Sequence, residues 1–67
     1  MRSFNKQEKK TMYKLAEECS ELAAELLKAC NKRYSPDMLK KIGEELSDVE
    51  KRISEVEYTL WGKKTLD

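Results

Sequence analysis

Apolar residues recur along this chain at alternating intervals of three and four. Met12, Leu15, Cys19, Leu22, Leu26 and Ala29 form one series, and Leu39, Ile42, Leu46, Val49, Ile53, Val56 and Leu60 form a second. Such alternation marks the seam of a packed α-helix, whereas a half-buried strand would alternate by two. The spacing predicts two helices, the first over about 5–33 and the second over about 36–61, with Ala16, Ala23 and Cys30 widening the first seam. With seam residues at heptad positions a and d, Glu18 and Glu25 fall at g and Glu21 at c. In the second helix Glu45 falls at g, Asp48 at c, and Glu50 and Glu57 at e, where acids usually face solvent or pair across an interface. Gly43 interrupts the second helix at a cost of about 1 kcal/mol relative to alanine. Close packing of another helix, or a ligand against the backbone, would account for it.

The predicted helix ends carry matching chemistry. Asn5 and Glu8 have the spacing of a capping box, and Ser35 followed by Pro36 suits an N-cap with proline at the first helical position. Gly62, after Trp61, suits a C-cap. A connection as short as 31–36 makes the helices antiparallel neighbours. The expected fold class is all-α: an antiparallel helical hairpin, one domain over 1–67, that oligomerises into a four-helix-bundle core. Chains of 67 residues usually need disulfides, a metal or oligomerisation to hold a core. Oligomerisation is the expected device, because both cysteines sit inside helical patterns. With no secretory or transmembrane run visible, the expectation is a cytoplasmic protein with free thiols and no membrane partner. Cys19, at an a position, is expected to face the core as a small hydrophobe.

Charge argues against one class of partner. The chain has 14 basic and 13 acidic residues, a net charge of +1, so no overall basic field marks it for nucleic acid. Local clusters (Lys6, Lys9 and Lys10; Lys32 and Arg33; Lys40 and Lys41; Lys63 and Lys64) read either as a solvated surface complementing helix dipoles or as phosphate contacts. Tyr34, Tyr58 and Trp61 have faces that stack a nucleobase or pack in an interface.

The chemical signal is a pair of acidic stretches, Glu17-Glu18-Cys19-Ser20-Glu21 and Glu44-Glu45-Leu46-Ser47-Asp48. Carboxylates three apart on a helix project to nearly the same side and can share one cation. Two such pairs on facing helices offer four hard oxygen donors, which is what Mg²⁺ or Mn²⁺ recruits. The alternative is an ion-pair lattice, since Lys14 with Glu18, Lys41 with Glu45, and Asp48 with Arg52 are each four apart.

Leu15-Ala16-Glu17-Glu18-Cys19-Ser20-Glu21-Leu22 and Ile42-Gly43-Glu44-Glu45-Leu46-Ser47-Asp48-Val49 resemble the EExxE and ExxD signature of the MazG-like all-α nucleoside triphosphate pyrophosphohydrolases. The resemblance runs from about Met12 to Leu60. It implies a Mg²⁺ (or Mn²⁺) site formed by Glu18, Glu21, Glu45 and Asp48, with Glu17 and Glu18 as the catalytic acids and Glu17 supporting or orienting water. It implies a nucleotide ligand, a homo-oligomer (dimer or higher) and a bacterial or phage-infected host cytoplasm. Members of that family generally continue into a further helix that helps to hold the phosphates. Here Lys14, Lys41, Arg52, Trp61, Lys63 and Lys64 are the candidate phosphate or nucleotide contacts. Three functions stay open on the sequence: an enzyme that releases pyrophosphate from a (d)NTP or related nucleotide, a module that holds or sequesters a nucleotide without cutting it, and a helical assembly module without ligand.

Overall fold

The structure, a computed structural model, describes residues 3–62. Among the described residues there are two helices, α1 over Lys6–Cys30 and α2 over Pro36–Trp61. Each end has a local cause. Asn5 and Glu8 close a reciprocal capping box: the Glu8 amide donates to Asn5 Oδ1 and the Asn5 amide donates to Glu8 Oε1, both at 2.8 Å. This satisfies two amides that the first turn would otherwise leave without partners. α1 ends three residues before the expected boundary near 33. Asn31 stops it by donating from its side chain to the Leu27 carbonyl at 2.9 Å and from its backbone to the Lys28 carbonyl at 3.1 Å. Ser35 caps α2 through Oγ, which accepts from the Met38 amide at 3.4 Å, and Pro36 follows at N1. Gly62 ends α2 at φ +76°, the left-handed region that favours glycine, and its amide reaches the Tyr58 carbonyl at 2.8 Å.

The helices lie side by side in a slab of 48 × 24 × 14 Å, about one helix thick. Where they meet, the contact line is rotated from the seams read in the sequence. Leu15, Leu22 and Ala29 on α1 and Ile42, Val49, Ile53, Val56 and Leu60 on α2 are at least partly covered. Cys19, Leu26, Leu39 and Leu46, members of the same seams, remain exposed. In their place the g-flank acids Glu18, Glu25 and Glu45 turn toward the contact, and Glu45 is 7% exposed. A single neighbouring helix covers only a narrow stripe, so a broader apolar stripe leaves one edge open.

One expectation is corrected within the chain: Cys19 does not face a core here but lies on the open edge with Leu26, Leu39 and Leu46. Of the e-position acids, Glu50 is exposed and Glu57 is buried. A Cβ placed on Gly43 would meet nothing within 4 Å of this chain. No helix among the described residues is long and apolar enough to cross a membrane.

Candidate metal centre

The polar side of the hairpin carries the acids. On α1, Lys14, Glu18 and Glu21 follow one another at helical spacing. On α2, running the other way, Glu45, Asp48, Arg52 and Glu55 do the same. The antiparallel register sets Glu18 and Glu21 opposite the second acidic stretch. One carboxylate oxygen from each of Glu18, Glu21 and Glu45 lies within 4.8 Å of the other two. Residues from both helices and both acidic stretches thus meet at one place. Asp48, the fourth expected ligand, is exposed and is not one of these three, although its charge acts on Glu18.

The electrostatics follow from that crowding. Partial burial pushes the Glu18 carboxyl above the ordinary glutamate range. A hydrogen bond shared with Glu21 and the negative charges of Glu21 and Asp48 push it further the same way, and the Arg52 charge pulls it back. A carboxylate beside like charges binds a proton, or another cation, more readily. Arg52 Nε stands 3.7 Å from Glu18 Oε2, and its Nη1 donates to Glu55 Oε1 at 2.9 Å. That bond holds Glu55 below the usual carboxylate range. Lys41 Nζ lies 3.9 Å from Glu45 Oε1, too long for a strong hydrogen bond.

Glu45 is the most informative member. Its Oε2 is buried and has no hydrogen-bond partner. A carboxylate oxygen held from water without a partner is an unmet acceptor, and a divalent cation shared with Glu18 and Glu21 would give that carboxylate a partner. The donor set fits such an ion, being all carboxylate oxygen, the class that Mg²⁺ and Mn²⁺ take.

The other sequence candidates divide. Glu17 is exposed and outside the converging group. Of the expected ion pairs, Lys41 with Glu45 forms at 3.9 Å, while Arg52 pairs with Glu18 and Glu55. Lys14 lies one turn from Glu18 and lines a neighbouring groove. Trp61 is exposed, roughly 24 Å of helix rise beyond Glu45, and does not reach the acids within the chain. Lys63 and Lys64 lie outside the described residues. Sequence reasoning missed Glu55, whose signal was its place three residues from Arg52 on the same face.

Comparison with protein-family models, with curated proteins and with solved structures finds no significant match.

Proposed function

We propose that Glu18, Glu21 and Glu45, joined by Asp48, hold a Mg²⁺ or Mn²⁺ ion through which the protein engages a nucleotide. The activity proposed is hydrolysis of the α–β phosphoanhydride of a (d)NTP or related nucleotide to the monophosphate and pyrophosphate. The observation that carries this reading is the convergence of Glu45, which holds a buried and unpartnered Oε2, with the carboxylates of Glu18 and Glu21. The resemblance of both acidic stretches to the MazG-like signature points the same way. A divalent cation bound there would supply Lewis-acid polarisation of the phosphoryl oxygens.

The chain's own residues have separable parts. Glu18, Glu21 and Glu45 bind and orient the ion. Arg52 and Lys41, which sit on Glu18 and Glu45 in its absence, are positioned to turn to phosphate oxygens. Glu17 is the acid assigned to orient water. Its exposure, away from the converging oxygens, favours a second reading in which the nucleotide is held without being cut.

The open edge with Cys19, Leu26, Leu39 and Leu46 supports the other half of the proposal, a second copy of the chain packed on that side to complete a four-helix core. Gly43 lies between Leu39 and Leu46 with open space above it, so another helix can approach closely there. An apolar edge covered by its own copy is the closed, isologous arrangement that short hairpins favour.

Calorimetry against a panel of nucleotides with and without Mg²⁺, followed by product analysis, tests the reading. Metal-dependent binding with pyrophosphate release is the expected result. Binding without products selects the holding function, and no binding in either condition overturns both.

A further inference from the structure

On the same face as the acids, toward the free ends of the helices, lies a groove of about 490 Å³ lined by residues that include Lys10, Thr11, Lys14, Ser54, Glu55 and Tyr58. We propose that this groove holds the nucleoside end of the nucleotide, with Tyr58 against the base and Lys14, the lysine nearer the acids, against the phosphates. The inference rests on the metal-site reading and adds where the rest of the ligand goes.

Position comes first. Lys14 precedes Glu18 by one turn on α1, and Glu55 follows Arg52 by three residues on α2, so groove and acids form one continuous strip. Arg52 joins them, reaching Glu18 on one side and the groove-lining Glu55 on the other. From Glu18 to Lys10 the helix rises roughly 12 Å, so a ligand with phosphates at the acids and its base beyond them lies along the hairpin axis.

Chemistry comes second. The groove volume falls within the roughly 300–1,000 Å³ typical of small-molecule sites. Two lysines bring positive charge beside an acidic cluster, an arrangement suited to a ligand that carries both phosphate and bound cation. The negative charge of Glu55 is offset by Arg52, so it does not repel an incoming phosphate as a lone carboxylate would. Ser54 supplies a hydroxyl for sugar or base, while the buried Thr11 hydroxyl donates to the Glu8 carbonyl at 3.0 Å and forms part of the groove wall. The Tyr58 side chain is 70% exposed, which leaves its ring open to stacking, an interaction that tolerates any base.

The test compares wild type with Tyr58→Ala, Tyr58→Phe and Lys14→Ala by calorimetry. The titrants are Mn²⁺ alone, inorganic triphosphate with Mn²⁺, and each common ribo- and deoxyribonucleoside triphosphate with Mn²⁺. Tyr58 is exposed and Lys14 half-buried, and circular dichroism checks that each variant folds. Tyr58→Ala is expected to weaken the best-bound nucleoside triphosphate by about tenfold or more, leaving inorganic triphosphate and Mn²⁺ unchanged, with Tyr58→Phe restoring the loss. Lys14→Ala is expected to weaken both anions and leave Mn²⁺ alone unchanged. If wild type binds nucleotide with Mn²⁺ and these variants match it, the groove assignment is overturned while the metal site stands. If wild type prefers no nucleoside triphosphate over inorganic triphosphate, the base contact is overturned. Absence of any Mn²⁺ binding overturns the groove and the metal site together.

Discussion

Arg52 crosses from α2 to Glu18 on α1, with Nε 3.7 Å from Oε2. It occupies the side of the acidic cluster that a divalent cation would otherwise neutralise, so the guanidinium and the metal are expected to compete. Arg52→Gln should therefore tighten Mn²⁺ binding in the absence of nucleotide. It should also lower the melting temperature by a few degrees, since a partly exposed pair contributes about 1 kcal/mol or less. Titration of Mn²⁺ by calorimetry or paramagnetic resonance reads the first effect. Weaker Mn²⁺ binding in a folded Arg52→Gln variant would show that Arg52 orders the acids and does not compete with the ion.

Glu45→Gln separates a metal site from an ion-pair lattice. Removing the charge from a buried carboxylate with an unpartnered oxygen relieves a strain that the metal-free protein carries. The variant is expected to melt at or slightly above the wild-type temperature and to lose metal-dependent nucleotide binding. A lattice held by Lys41 predicts a lower melting temperature and no ligand effect. Melts of both proteins, with and without Mg²⁺ and nucleotide, decide between them, and an unresponsive wild type beside a less stable variant would falsify the metal site.

The metal-free protein should show a two-sided dependence on pH. Burial, Glu21 and Asp48 raise the Glu18 pKa, so its protonated form is favoured by folding. That contribution is fully present below the ordinary glutamate range and is lost as pH rises through the elevated value. Glu55 behaves oppositely: Arg52 lowers its pKa, so its contribution is present above the ordinary range and is lost as pH falls through the depressed value. Glu18→Gln should flatten the neutral-side slope of stability against pH, and Glu55→Gln the acid-side slope. Denaturant melts across the carboxylate range check both, and a wild-type profile with neither slope would contradict the assignment.

Leu46 is 46% exposed, so a charge there disrupts little inside one hairpin. Leu46→Lys is expected to convert an assembled protein to monomers of lower helicity, as seen by sedimentation and circular dichroism. Gly43→Ala supplies a second readout. In an isolated chain it should stabilise α2 by about 1 kcal/mol, because a Cβ there meets nothing. Against a closely approaching copy it should weaken assembly instead. A wild-type chain that sediments as a stable folded monomer at micromolar concentration removes the case for a partner on this face.

Much of the hairpin was legible because its signals are local. Asn5 with Glu8, Ser35 with Pro36, and Gly62 each mark a helix end through chemistry within a few residues, and the three-four alternation sets the helical period. Asn31 was legible as the start of the connection, but the side-chain bond to Leu27 that caps α1 there was not, since it depends on the folded turn. Rotation of the helices about their axes was not legible either. A heptad places Cys19 and Leu15 on one seam, but which edge meets the neighbouring helix depends on how wide a stripe that neighbour covers. The same limit applies to the acids. Spacing puts Glu18 beside Glu21, but the buried, unpartnered oxygen of Glu45 and the diversion of Arg52 to Glu18 depend on the packed pair.

The slab is only 14 Å deep, so its two faces share one wall of side chains. Leu22 and Val49 stand between the acids on one side and the exposed apolar edge on the other. Anything that shifts this wall acts on both faces, and thermodynamic linkage makes the effect reciprocal. If a cation draws Glu18 and Glu45 together, it changes how tightly copies associate; if copies associate, they change how tightly the cation is held. Where association tightens the ion, protein and metal concentration act as one control variable, and dilution alone then releases both the partner and the ion.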